Sequence, residues 1–295
     1  MTSSPLVTKK LKEYEYFSPT TLREAVSLFG QYEGHAVFLA GGTDVLPMMK
    51  FRAMTPRWII NLKRIPNLDY IREEAGELRI GALTTISDLK DSDLIKRRCL
   101  ALYESTVVFA TPQIRNMATI GGNICRGSPA ADTVPPLMSF DAELKLIGTN
   151  GERKVPLADF FKGARSNVLD KELLTEVVIP VRKGKWGTAF AKLARNSSDL
   201  AKVNCAVSIV MRGKRCEDIR IVLGAVADRV VRIQRAECAA RGREIEDGLI
   251  EEVARMVGED IVPITDARST ASYRKKASQV LVRRLIQEAV ARSSA

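Results

Sequence analysis

Two stretches of the sequence bring together a glycine pair, a threonine and a polar neighbour: Ala40-Gly41-Gly42-Thr43-Asp44 and Thr119-Ile120-Gly121-Gly122-Asn123. Glycine tolerates positive φ and lets main chain approach a ligand closely. Successive N–H groups in such a turn converge into a concavity that holds an anion. A threonine hydroxyl adds a donor without adding charge. Two such loops facing each other would grip a diphosphate from both sides. Two tight turns that merely need glycine explain the same residues, and spacing alone leaves the two readings level.

Other chemistries are poorly served. No Gly-x-Gly-x-x-Gly and no Gly-x₄-Gly-Lys-Ser/Thr occurs, so neither the Rossmann fingerprint nor a P-loop is written here. His35 is the single histidine, which excludes His-rich metal sites and leaves a Ser–His–Asp triad only that residue. Cys99, Cys125, Cys205, Cys216 and Cys238 are widely spaced, with no Cys-x-x-Cys pair to cradle a cluster or zinc. No catalytic residue and no metal ligand is therefore expected.

The elements that must position the two loops can be read from the pattern. A chain of 295 residues suggests about two domains. A helix is expected at 19–29, capped by Ser18 and stopped by Gly30. A buried strand at 36–40 runs into the first glycine pair, and Asp44 caps a helix after it. Strands near 57–61 and 77–80 follow, then a helix from Ser87 and another from Leu100 to Thr111 that Pro112 ends. Beyond the second glycine pair come a helix at 134–140 and strands at 142–147 and 174–180. Arg182 to Lys185 reads as a linker. After it, strands at 189–193, 205–211 and 219–226 look antiparallel, with Arg212-Gly213-Lys214 turning between the last two. Helices close the chain at 233–241, 247–257 and 271–291, the last with Tyr273, Ala277, Val280, Leu281 and Leu285 on one stripe.

Lys plus Arg number 46 against 35 Asp plus Glu, a net charge of +11. From Arg268 onward there are seven basic residues and one acidic, so the tail carries much of the excess. An anionic partner would suit it, and a solvated helix face would explain it as well. A nucleic-acid protein would interleave the charge with aromatics, which are only 6% of the chain.

The runs Phe38-Leu39-Ala40-Gly41-Gly42-Thr43-Asp44-Val45-Leu46-Pro47 and Ala118-Thr119-Ile120-Gly121-Gly122-Asn123-Ile124 closely resemble the FAD-binding medium subunit of molybdenum hydroxylases. That family includes relatives of xanthine dehydrogenase, aerobic carbon monoxide dehydrogenase and 4-hydroxybenzoyl-CoA reductase. Ser128-Pro129-Ala130-Ala131-Asp132-Thr133, Lys192-Leu193-Ala194-Arg195, Asp199-Leu200-Ala201-Lys202 and Asp266 through Arg274 agree, in order along nearly the whole chain.

The resemblance implies an α+β fold. It has a two-subdomain FAD-binding part of the vanillyl-alcohol oxidase and murein reductase type, over 1–182 (about 1–56 and 57–182). A C-terminal domain over 183–295 has a three-stranded antiparallel sheet and helices. It assigns the FAD diphosphate to Leu39, Ala40, Gly41, Gly42, Thr43, Asp44 and Val45, and to Thr119, Ile120, Gly121, Gly122 and Asn123. Phe109 and Leu174 match apolar cofactor contacts, although a core role accounts for either. Asp132 matches a cofactor hydrogen-bonding residue, or caps the helix after it. Lys192 matches a lysine near the flavin, where a cation favours the anionic reduced form. Two departures stand out: Leu200 replaces an aromatic near the flavin face, and the cysteine-bearing insertion of the benzoyl-CoA reductase branch is absent.

FAD is expected to bind non-covalently, because His35 lies before the strand that leads to the first loop. Molybdopterin and 2Fe-2S clusters are expected only in partner subunits, a large and a small one, in a dimer of heterotrimers. An external electron acceptor would take the electrons. The alternative is a free-standing FAD-dependent reductase of the murein-reductase type. Without an apolar segment of signal or membrane length, a cytoplasmic place is expected.

Overall fold

The computed structural model describes residues 10–181, 184 and 186–294. The expected linker therefore lies, apart from Gly184, outside the described residues.

The first unit is a parallel sheet with helices against it. Strand β1 (Glu15–Phe17) leads to helix α1 (Leu22–Gln31), then β2 (Ala36–Leu39), α2 (Val45–Lys50) and β3 (Trp58–Asn61), in sheet order β1-β3-β2. Both pairings are parallel. Ala25 and Val26 of α1 bury against Ile60, Leu62 and Ile65. Thr21, not Ser18, caps α1, its Oγ1 accepting from the Glu24 N–H at 3.2 Å. The helix runs through Gly30, and Gly34 takes the positive φ of 77° after it. Because β3 is central, the sheet continues past residue 56.

The second unit is a five-stranded antiparallel sheet with short helices. In chain order come β4 (Ile71–Glu74), β5 (Glu77–Gly81), α3 (Ile86–Asp91), α4 (Asp93–Arg98), α5 (Leu100–Val107), α6 (Pro112–Arg115), α7 (Ile120–Cys125) and α8 (Val134–Ser139). Then follow β6 (Glu143–Gly148), β7 (Gly151–Pro156), α9 (Leu157–Phe160), β8 (Phe161–Gly163), β9 (Ser166–Asn167) and β10 (Leu173–Pro180). The sheet order is β4-β5-β10-β6-β7. The helix expected from Leu100 to Thr111 stops early. Ala110 takes a left-handed φ of 37°, and Pro112 starts α6 instead of ending α5, with Thr111 as its cap. Proline suits that first position because its missing N–H would be unpaired there anyway.

The third unit contains β11 (Trp186–Leu193), β12 (Val203–Arg212), β13 (Arg215–Gly224), β14 (Val231–Arg232), α10 (Gln234–Ala240), α11 (Asp247–Asp260) and α12 (Ala271–Ser294). Its sheet is antiparallel, as expected, but a fourth strand joins it. A two-residue strand carries too little alternation to be read from sequence. Phe190, Ala206 and Val222 from this sheet pack into the core of the second unit, so the two share a core face. The stripe expected on α12 is rotated. Tyr273 and Val280 are exposed, while Arg274, Ser278, Val282, Leu285, Ile286 and Ala289 are buried.

Candidate functional site

The first glycine loop leaves β2 and enters α2. Gly42 has φ +74°, and Asp44 precedes α2 without a side-chain cap. Among the described residues, none of the backbone N–H groups from Ala40 to Asp44 has an acceptor. The loop follows the end of β2, an edge strand of its sheet, and is half-buried up to Thr43, with Asp44 exposed. It therefore presents a run of main-chain donors with nothing of the described protein to satisfy them.

The second loop differs from the expected mirror image. Thr119 is a helix cap, and the glycine pair forms the first turn of α7. The N–H groups are spent internally: Ile120 to the Thr84 carbonyl at 3.0 Å, Gly121 to Ala82 at 2.9 Å, Asn123 to Thr119 at 2.9 Å. Gly122 donates to Thr119 Oγ1 at 3.1 Å. Gly121 is needed because a Cβ there would lie 2.7 Å from the Ala82 carbonyl oxygen. Glycine in this loop thus serves packing, and the unpaired main-chain donors sit in the first loop.

The two loops touch. A Cβ on Gly41 would fall 1.8 Å from the Met117 carbonyl oxygen. Arg126, just after α7, donates from Nε to Asp44 Oδ1 at 3.1 Å. The Thr133 hydroxyl donates to Asn123 Oδ1 at 2.7 Å, which joins α7 to the turn that carries Asp132.

Asp132 and Lys192 form a buried pair, Nζ to Oδ2 at 2.9 Å, with side chains 7% and 2% exposed. Lys192 Nζ also donates to the Asp199 carbonyl at 3.2 Å and to the Val108 carbonyl. All three of its protons are therefore used. Burial pushes the Asp132 carboxyl above its ordinary range, and the charge and hydrogen bond of Lys192 and the amide of Asn204 offset only part of that rise. Phe109 is buried beside this hub. Arg115 donates to its carbonyl at 2.7 Å and to that of Ala110 at 2.9 Å. The break between α5 and α6 is thus the place where main-chain carbonyls meet two cations. Leu174 is buried in the core of the second unit, beside a bulge in β10. Leu200 is 61% exposed.

The structure therefore gathers Asp132, Lys192 and the Phe109 segment at one hub and the two glycine loops at another, linked through Asn123 and Thr133. Sequence reasoning missed Asn204, Arg126 and Met117. The basic Arg126 four residues after Gly122 was the only local signal for any of them.

One residue of the basic tail is internal. Arg274 is 1% exposed; Nη1 donates to the Lys202 and Ala225 carbonyls, both at 2.8 Å, and Nη2 to Asp266 Oδ1 at 2.7 Å. Lys275 and Lys276 are exposed. Among the described residues no helix is long and apolar enough to cross a membrane.

The family profile described as "FAD binding domain in molybdopterin dehydrogenase" matches residues 12–182. That described as "CO dehydrogenase flavoprotein C-terminal domain" matches 188–289. The carbon monoxide dehydrogenase medium chain of Hydrogenophaga pseudoflava is 35% identical over 95% of this chain and 98% of its own length. The glyceraldehyde dehydrogenase medium chain of Sulfolobus acidocaldarius is 32% identical over 94% of this chain and 98% of its own. Among solved structures, the H. pseudoflava carbon monoxide dehydrogenase lacking the Mo-pyranopterin moiety superposes with a TM-score of 0.94, at 35% identity, over 96% of this chain and 99% of that one. With a profile spanning more than half of its residues and such relatives matching it almost end to end, the chain belongs to the FAD-binding medium subunits of the molybdopterin-dependent dehydrogenases.

Proposed function

We propose that the first glycine loop is the diphosphate cradle of a non-covalently bound FAD, and that the hub around Asp132 holds the rest of the cofactor. The observation that carries this reading is the run of N–H groups from Ala40 to Asp44, without acceptors among the described residues. An anion there gains several main-chain hydrogen bonds, with no lysine or arginine required in the loop itself. Leu39 and Val45 frame the cradle. Thr43 adds a hydroxyl.

From the second loop, Thr119, Ile120, Gly121 and Gly122 act chiefly by setting where α7 lies. Asn123 keeps its side-chain NH₂ for a cofactor oxygen, because Thr133 occupies its Oδ1. Asp132 accepts a hydrogen bond from a hydroxyl of the cofactor. Phe109 and Leu174 supply apolar walls. Lys192 adds positive charge in a low-dielectric place, where it stabilises added negative charge.

When bound, FAD supplies a group that takes electrons singly and passes them on in pairs. The chain's own residues bind it, orient it and set its local charge. Electrons would arrive from 2Fe-2S clusters of a small partner subunit and leave to an external acceptor. Medium chains named for carbon monoxide and for glyceraldehyde match at similar identity. The substrate is therefore chosen in another subunit, the molybdopterin-binding one. We place the assembly, a dimer of heterotrimers, in the cytoplasm.

The test is equilibrium titration of flavin-free protein with FAD and with FMN. Saturable binding of FAD, weakened in Gly42→Val, supports the cradle. Equal affinity for FMN, which has no diphosphate, contradicts it.

A further inference from the structure

Asn204 lies on β12 and is fully buried. Its Nδ2 donates to Asp132 Oδ1 at 2.8 Å and to the Ala131 carbonyl at 3.3 Å. Among the described residues its Oδ1 has no hydrogen-bond partner. A buried carbonyl oxygen without a donor is costly, and a small apolar residue would avoid that cost. The asparagine therefore spends its donors on Asp132 and Ala131 and leaves its own acceptor unused among the described residues.

Its surroundings are built around it. On β13, Gly224 faces Asn204, and a Cβ there would lie 2.1 Å from Asn204 Oδ1. The next N–H, of Ala225, donates to the Pro129 carbonyl at 2.7 Å. The C-terminal sheet thus grips the turn from Pro129 to Asp132, which belongs to the other domain. Asp132 is left with one oxygen bonded by Lys192 and the other by Asn204. Each carboxylate oxygen accepts more than one hydrogen bond, so each retains capacity for a ligand.

We infer that Asn204 is a positioning residue for the cofactor: its amide fixes the orientation of Asp132 as an acceptor, so the C-terminal domain sets the affinity of a site built in the FAD-binding domain. This role rests on the assignment of Asp132 to the FAD site proposed above. Two donors, Lys192 and Asn204, hold the Asp132 carboxyl in place from either oxygen. Without Asn204, Lys192 alone remains, and the carboxylate is free to turn about its own bond.

The test uses the full chain, freed of flavin, with Asn204→Ala and Asn204→Asp. FAD affinity is read by flavin fluorescence from pH 6 to 8.5, and folding of each flavin-free variant by circular dichroism. Asn204→Ala removes the donor, and FAD binds about tenfold more weakly at every pH, the usual worth of one hydrogen bond to a charged group. Asn204→Asp keeps the shape. The titratable groups facing its new carboxyl are Asp132, from the turn, and Lys192, from β11; β13 presents only Gly224. Two adjacent carboxyls cannot both ionise cheaply, so at low pH the new group is protonated and its O–H replaces the amide N–H. Affinity in this variant is near wild type at pH 6 and falls as pH rises. A structural role without effect on Asp132 would give no such pH dependence.

Wild-type affinity in both variants at all pH values, or an equal loss at all pH values in Asn204→Asp, overturns the role. If Asn204→Ala does not fold, the pH profile of Asn204→Asp still decides. A wild-type chain that takes up no FAD instead overturns the proposed function, and this role with it.

Discussion

Gly41 and Met117, far apart in sequence, meet so closely that a Cβ on Gly41 would fall 1.8 Å from the Met117 carbonyl oxygen. No rotamer relieves that contact, because both partners are main chain. The first loop is therefore docked on the segment that leads into α7, and the Asp44–Arg126 pair ties it to the other end of that helix.

Gly41→Ala should separate the loops. Overpacking of this kind costs about 1–3 kcal/mol, and FAD retention should fall with it. Gly42→Val should cost FAD mainly through backbone conformation, because its φ of +74° disfavours a branched side chain. The check is flavin content after gel filtration beside the melting temperature. Full flavin in Gly41→Ala would mean that the contact does not shape the cradle.

Gly121→Val should behave differently. Its Cβ would press on the Ala82 carbonyl, and its N–H is committed to the same group. Loss of stability should come first, so thermal unfolding of the flavin-free protein should already be lowered. An unchanged melting temperature with lost flavin would restore a direct cofactor role to this glycine.

Much of this organisation was legible. Both glycine pairs, the strand into the first, and the antiparallel sheet of the C-terminal domain follow from local pattern. What was not legible depends on residues far away in the chain. The break after α5 is held by Lys192 on the Val108 carbonyl and Arg115 on those of Phe109 and Ala110. Nothing in residues 100–111 announces a donor from β11. Asn204 sits in an apolar strand pattern and becomes informative only when Asp132 is opposite it. On α12, periodicity placed Tyr273 inside and left Arg274 among surface charges, whereas Arg274 is the buried one. Its guanidinium donates to the carbonyls of Lys202 and Ala225 and to Asp266, partners that a one-dimensional pattern does not contain.

Arg274→Ala should therefore destabilise by about 1–3 kcal/mol, because it leaves the carbonyls of Lys202 and Ala225 without a donor, while Asp266 keeps Arg268. Lys275→Ser with Lys276→Ser should leave stability within about 0.5 kcal/mol, as for exposed positions. Denaturant unfolding of the two variants checks both statements. Equal, small effects would return Arg274 to the surface.

Lys192→Met should leave the Asp132 carboxylate buried without its cation, at a cost of about 3–5 kcal/mol. The same change frees the Val108 carbonyl, so packing around Phe109 should loosen. Amide hydrogen exchange over 106–112 reads this directly. Protection as in wild type would show that the break is held without Lys192.

Asp266 links the same region to pH. Burial alone would raise its carboxyl. The N–H and guanidinium of Arg268, then Arg274 and the Ser269 N–H, outweigh that and hold it well below the ordinary carboxylate range. A depressed folded value means stability that is present above the unfolded value, about 3.9, and lost as pH falls below it. Wild-type stability should drop between pH 5 and pH 3. Asp266→Asn should be less stable at pH 7 and should lose less on acidification. Denaturant midpoints at pH 7, 5 and 3 give the answer, and parallel pH profiles would contradict it.

The central claim is that this chain holds FAD without a covalent bond, through the main chain of its first glycine loop. The direct measurement is the flavin content of the purified chain before and after acid precipitation. The account predicts equimolar FAD, all of it in the supernatant after acid, and a marked loss of it in Gly42→Val. Flavin that stays with the pellet, or a Gly42→Val protein that keeps its full complement, would contradict it.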